Sequence, residues 1–171
     1  MKNTSEKYNP DIQAKILPAP VTRSFWAEKW SSCSKKLVLL DLDGTILDTA
    51  GDLGDAANQL RNRRGLDSLD IDLYRPEVSR GARGMIYVAL NKEWTDPDFE
   101  QLRLEFLAAY YDNLLNQTDF IPGMEEFLNE LIGQNIKWGI VTNKYQKYAK
   151  PIIDGIKLLN KHCSILVCGD T

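Results

Sequence analysis

Three short apolar runs stand out along the chain, and each ends in a polar loop. The first is Leu37-Val38-Leu39-Leu40, followed directly by Asp41-Leu42-Asp43-Gly44-Thr45. The second runs from Ile136 to Thr142, and the third from Ile165 to Cys168. A short continuous apolar run suits a strand buried on both faces of a parallel sheet. Ahead of the second run, Met124, Phe127, Leu128 and Leu131 fall at i, i+3, i+4 and i+7, the spacing of one helix face. Pro122 suits the first turn of that helix and Gly133 its exit. A further helix is predicted over Tyr145 to Leu159, with Pro151 at a kink or a late start. The alternation of strands and helices predicts an α/β core with right-handed crossovers.

Between Asp48 and Ile121 the pattern is helical throughout and offers no strand. One helix is predicted over Asp52 to Arg64 and a second over Pro76 to Leu90. A third starts with Asp96 as N-cap and Pro97 at the first helical position, its apolar face carrying Phe99, Leu102, Phe106, Ala109 and Tyr110. The block reads as an all-helical insertion over residues 51–119, between two parts of the core at 36–50 and 120–171. Residues 1–35 are polar, with prolines at 10, 18 and 20, and are expected to form a mobile extension. Phe25, Trp26 and Trp30 have helix-like spacing and allow a short docked helix; an extension without function is the other reading.

At 171 residues, the length fits one domain or a small core with an insertion, and 43% hydrophobic with 26% charged residues is ordinary for a globular protein. A net charge of −3 gives no electrostatic reason to expect nucleic acid or an anionic membrane as partner. No apolar run approaches the length of a membrane span, and no secretory h-region follows Met1. Cys33, Cys163 and Cys168 lack metal or redox spacing, which predicts reduced thiols and a cytoplasmic setting. Oligomeric state leaves no mark in the sequence.

The candidate chemistry narrows by elimination. His162 is the only histidine and has no Arg-His-Gly around it, and no cysteine has an arginine six positions later. Phosphohistidine, cysteine-phosphatase, Ser-His-Asp and zinc chemistry are therefore unsupported, and carboxylates remain. Alternation places Asp41 and Asp43 on one side at the carboxyl end of the first strand, where open α/β sheets bind ligands. Gly44 permits the sharp turn that follows, and Thr45 is expected to tie it with its hydroxyl. Two carboxylates this close call for a cation between them, and magnesium suits such oxygens.

Leu37 to Asp48, reading LVLLDLDGTILD, resembles the first motif of the haloacid dehalogenase (HAD) superfamily, and Ile140-Val141-Thr142-Asn143-Lys144 resembles its second. The helical block is similar to the family's C1-type cap, and the resemblance extends from about Lys36 to Thr171. It implies a HAD-like Rossmannoid parallel sheet, with three of the usual strands present and an all-helical cap after the first. It also implies a magnesium-dependent phosphomonoester hydrolase acting on a small phosphorylated metabolite. Asp41 would be the nucleophile that becomes an aspartyl-phosphate, and Asp43 the acid and base for leaving oxygen and water. Thr142 would hydrogen-bond a phosphoryl oxygen, and magnesium would bind the Asp41 carboxylate and Asp43 carbonyl. Gly44, Thr45, Arg83, Asn143 and Lys144 are the candidate substrate-binding residues. A halide leaves without a proton and an alkoxide does not, so the acid at Asp43 favours phosphatase or phosphomutase over dehalogenase.

Val78 to Met85, Trp138 to Lys144 and Leu166 to Cys168 resemble phosphoglycolate phosphatases, and most of all N-acetylmuramic acid 6-phosphate phosphatases. Arg83, and less so Arg80, is expected to pair with a substrate carboxylate or phosphate, or else to lie on a solvated helix face. Lys144 either neutralises phosphate or is a surface lysine at a helix start, and Asp48 is read as a helix cap. The chain departs from the family in three ways: Tyr145 stands where proline often follows the Thr-Asn-Lys, and the third-motif Lys-Pro and fourth-motif aspartates are absent. Asp170 belongs to the loop after the third strand and does not replace them. These departures predict a fragment of a longer enzyme, not necessarily active alone, with the first strand left as an open apolar edge. A phosphomutase, or a remnant that only binds phosphate ligands, is the alternative.

Overall fold

The computed structural model describes residues 37–171, so the expectations for 1–35, including Phe25, Trp26, Trp30 and Cys33, lie outside the described residues. Along the chain run β1 (Leu37–Leu40), β2 (Leu47–Asp48), α1 (Ala50–Asn62), the 3-10 segments Ile71–Leu73 and Arg75–Arg80, and α2 (Ala82–Leu90). There follow α3 (Phe99–Asp112), β3 (Asp119–Phe120), α4 (Met124–Gly133), β4 (Lys137–Val141), α5 (Gln146–Gly155), α6 (Lys157–His162) and β5 (Leu166–Val167). The expected α/β architecture is present: β1, β4 and β5 form one parallel sheet in the order β1-β4-β5. Leu37 to Leu40 pair with Lys137 to Ile140, so the two strands end side by side.

The expectation of a strand buried on both faces is met only in part by β4: on one face Trp138 is 1% and Ile140 0% exposed, while on the other Gly139 is buried but Lys137 and Val141 are exposed. β1 does not match that expectation. Among the described residues it has a neighbour on one side only, and Leu37 and Leu39 each keep 53% of their surface exposed. The anticipated open apolar edge is what the described residues show.

The helical block also differs in detail from the sequence pattern. Its two ends pair as a small antiparallel ribbon, Leu47 with Phe120 and Asp48 with Asp119, where no strand was expected. Two-residue strands are too short to leave a period in the sequence. The predicted helix from Pro76 to Leu90 is split at Gly81, whose φ of 57° and ψ of −143° few other residues tolerate. Asp96 does not cap α3; its carboxylate accepts the Glu93 N–H at 2.8 Å and closes a turn, so the helix begins at Phe99. The predicted helix Tyr145–Leu159 becomes α5 and α6, and the break falls at the extended Ile156 while α5 runs through Pro151. α4 starts after Gly123 with Pro122 outside it, and of its predicted face Leu128 and Leu131 are buried while Phe127 is 38% exposed.

α1 packs against both α2 and α3, burying Leu60, Met85, Ile86 and Phe106. Asp52, 1% exposed in the first turn of α1, stitches this bundle to the returning chain. Its carboxylate accepts N–H groups of Leu115 at 2.9 Å and Gln117 at 2.7 Å, and the Thr118 hydroxyl at 2.7 Å. The N-cap of α1 is Thr49 rather than Asp48, which lies one residue earlier, accepts the Ala50 N–H at 3.1 Å and pairs with Arg75 at 2.6 Å.

Candidate active site

Past the end of β1 the side chains keep alternating: Leu42 is fully buried, with Asp41 exposed and Asp43 partly exposed on either side. The turn that follows is held by backbone bonds from Thr45, Ile46 and Leu47 to the Leu42 carbonyl, and from Gly44 to the Leu47 carbonyl at 2.8 Å. Gly44 takes a φ of 73°, the left-handed region expected of it.

Each carboxylate is fixed through one oxygen. Asp41 Oδ1 accepts the Leu42 N–H at 2.7 Å. Asp43 Oδ1 accepts the Thr49 hydroxyl at 2.7 Å and meets Lys144 Nζ at 3.1 Å. Neither Oδ2 has a hydrogen-bond partner among the described residues. The expected tie from Thr45 is thus made by the fully buried Thr49, at the foot of α1.

Lys144 comes from the loop after β4 and is not a surface lysine; its side chain is 8% exposed, against 10% for Asp43. Its ammonium donates to the Tyr110 hydroxyl at 2.8 Å and lies 4.6 Å from the centre of the same ring. Burial works to strip the charge from Lys144, but Asp43 and Tyr110 together outweigh it and raise the pKa above the ordinary lysine value. Burial pushes the Tyr110 phenol up, with Lys144 opposing. Lys144 therefore keeps its charge between Asp43 and the Tyr110 hydroxyl.

A cavity of about 350 Å3 opens beside this cluster. Asp43, Asn143 and Lys144 line it from the strand ends, and Arg83, Arg103 and Tyr110 from the helices. Asn143 also spans the gap, its side-chain N–H reaching the Ser79 carbonyl at 3.3 Å. Arg83 stacks over Trp94 at 5.1 Å and has no carboxylate partner among the described residues. Arg80 and Arg103, by contrast, are paired with Glu77 and Glu100, each at 2.7 Å. Asp41, Gly44, Thr45 and Thr142 do not line the cavity. Thr142 is 5% exposed at the end of β4, and its hydroxyl accepts the Lys144 N–H at 3.2 Å. Asp170 accepts the Gln146 N–H at 2.8 Å, at the start of α5, as its place after β5 implied.

Two oxygen donors are suited to a hard divalent cation: the Asp41 carboxylate and the Asp43 carbonyl, which takes none of the turn's hydrogen bonds. They fit magnesium in kind, since that ion keeps waters and takes phosphate oxygens beside one or two carboxylates. Among the described residues no group of three or more His, Cys, Asp or Glu side chains converges.

Sequence reasoning missed Tyr110 and Thr49. A tyrosine on an apolar helix face, which needs a partner for its hydroxyl when buried, was the available signal for the first. Thr49 left none, because its bond depends on how the Gly44 turn folds back.

A family profile described as haloacid dehalogenase-like hydrolase matches residues 38–171. An N-acetylmuramic acid 6-phosphate phosphatase of Pseudomonas putida is 37% identical over 135 residues, covering 79% of this chain and 60% of that protein. A phosphoglycolate phosphatase of Xanthomonas campestris pv. campestris is 37% identical over 136 residues, covering 80% of this chain and 61% of that one. A crystal structure described as a predicted phosphoglycolate phosphatase from Haemophilus somnus superposes with a TM-score of 0.66 at 26% identity, covering 81% of this chain and 64% of that one. The chain thus spans about three fifths of the length of these curated relatives. On the residues matched, it belongs to the haloacid dehalogenase-like hydrolase family.

Proposed function

We propose that this chain carries the nucleophile and the acid–base group of a phosphomonoester hydrolase. The observation behind this reading is that Asp41 and Asp43 are each held through one oxygen and free at the other, at the carboxyl end of β1. Fixed carboxylates lose little further freedom on reaching a reacting atom. Asp41 attacks phosphorus, and the phosphorus–oxygen bond to the ester breaks as Asp43 gives its proton to the departing alkoxide. Asp43 then takes a proton from water as that water attacks the aspartyl-phosphate, freeing phosphate and restoring Asp41. Lys144 sets positive charge at the mouth of the cavity, and Thr142 offers a hydroxyl to a phosphoryl oxygen. Magnesium on the Asp41 carboxylate and Asp43 carbonyl would offset charge on the transferring group.

The helices between β2 and β3 serve as the cap over this site, and the two parts of the chain flanking them as its core. The substrate is a small phosphorylated metabolite of the phosphoglycolate or N-acetylmuramic acid 6-phosphate type, as the names of the curated relatives suggest. Both types carry a carboxylate, and Arg83 is the cavity-lining guanidinium with no acidic partner among the described residues. Phosphate release from both esters, with and without added magnesium, tests the reading in wild type and Asp41→Asn. Magnesium-dependent release that disappears in the variant is expected; release that survives Asp41→Asn overturns the assignment.

A further inference from the structure

The helix face that carries Tyr110 belongs to the hydrophobic core of the cap, and a core tyrosine needs no role in chemistry. Tyr110 is 2% exposed, stacks 6.2 Å from Phe106 and lies 5.9 Å from Tyr148. Yet its hydroxyl is spent on Lys144, and its ring lies against the same ammonium. An ammonium has three N–H donors. Tyr110 takes one and Asp43 Oδ1 a second, which leaves one with no partner among the described residues, and Lys144 lines the cavity.

We infer that Tyr110 is a positioning residue of the site: it holds the Lys144 ammonium on Asp43 so that the third N–H serves an anion bound in the cavity. The inference rests on the reading of the cavity as a phosphate-ester site. It makes α3 part of the anion site through a lysine that the sequence places on the other side of the cavity. Without the hydroxyl, the four-carbon lysine stem regains its rotamers and the ammonium swings toward water. A ligand then has to reorder it on binding.

The test compares Tyr110→Phe with Tyr148→Phe in the full chain. Tyr110→Phe keeps the ring and its stacking and removes only the hydroxyl. Tyr148→Phe makes the same change in the same aromatic cluster, on a residue with no hydrogen bond to Lys144. Two quantities are read: the rate at which Lys144 is reductively methylated by 13C-formaldehyde, resolved by NMR, and the affinity for inorganic phosphate with magnesium present. Tyr110→Phe is expected to speed methylation of Lys144 and to weaken phosphate binding by roughly 5- to 10-fold, the scale of one net intramolecular hydrogen bond. Tyr148→Phe, which changes a residue of the same cavity with no hydrogen bond to Lys144, is expected to change the methylation rate by no more than about twofold. Where turnover is measured, KM should rise more than kcat falls.

Wild-type values of both quantities in Tyr110→Phe overturn the inference, as does an equal effect of Tyr148→Phe on methylation of Lys144, which marks a packing role. Absence of phosphate binding in the wild-type chain overturns the ester-site reading instead. The methylation rates then decide the Tyr110 assignment by themselves.

Discussion

In the helical block, Leu60, Tyr74, Met85, Ile86 and Phe106 are each at most 1% exposed, and three helices share them. In the sheet, Trp138 and Ile140 of β4 are equally covered, but Val141 is 41% exposed, β1 shows Leu37 and Leu39 at 53% to solvent, and Phe127 of α4 shows 38%. The residues proposed for chemistry sit on the less covered side, and those proposed to select the substrate sit on the closed one. A mutation in the buried core of the block should therefore act through stability, and a mutation on β1 through the reaction or through association.

The strongest break of this contrast is Asp41→Asn. Hydrolysis should fall by at least about 10^3-fold, as for other lost nucleophiles, with no drop in the thermal midpoint because the side chain is exposed. A large drop in the midpoint would place Asp41 in the framework. Next is Phe106→Ala, which should cost about 3–5 kcal/mol in urea unfolding, the usual figure for a buried phenylalanine. Asp52→Ala should cost about 1–3 kcal/mol, since it leaves two partly buried N–H groups and a hydroxyl without acceptors. The smallest effect is expected from Leu39→Ser, within about 0.5 kcal/mol of wild type and with less self-association in light scattering. A loss of several kcal/mol there would show that this face is covered in solution.

What the sequence disclosed was whatever local geometry decides. Asp41 and Asp43 are set by the alternation of one strand, and Gly44 by the φ its turn requires. The three parallel strands announced themselves as short apolar runs. The residues that escaped are those whose partners lie far away in the chain. Asp52 reads as an ordinary acid in a first helical turn until Leu115, Gln117 and Thr118 are brought back to it. Lys144 was open between phosphate binding and a surface place, and only Tyr110, 34 positions earlier, buries its charge. Boundaries failed where one residue overrode a period, as Gly81 does between the 3-10 segment and α2.

The β2–β3 ribbon has a consequence for how such a chain can vary. Asp48 and Asp119 are direct partners, so the whole helical block leaves and rejoins the sheet side through two adjacent backbone positions. Paired strand residues of this kind lie about 5 Å apart, a span that a short turn also bridges. The block is thus modular in the sense of a fitting on a two-pin socket. Its length and contents can change without disturbing the register of β1 on β4, while Asp41 and Asp43 stay where the strand puts them. Substrate preference and bond-breaking chemistry are then open to separate revision, one by exchange of the fitting and the other by change at the socket.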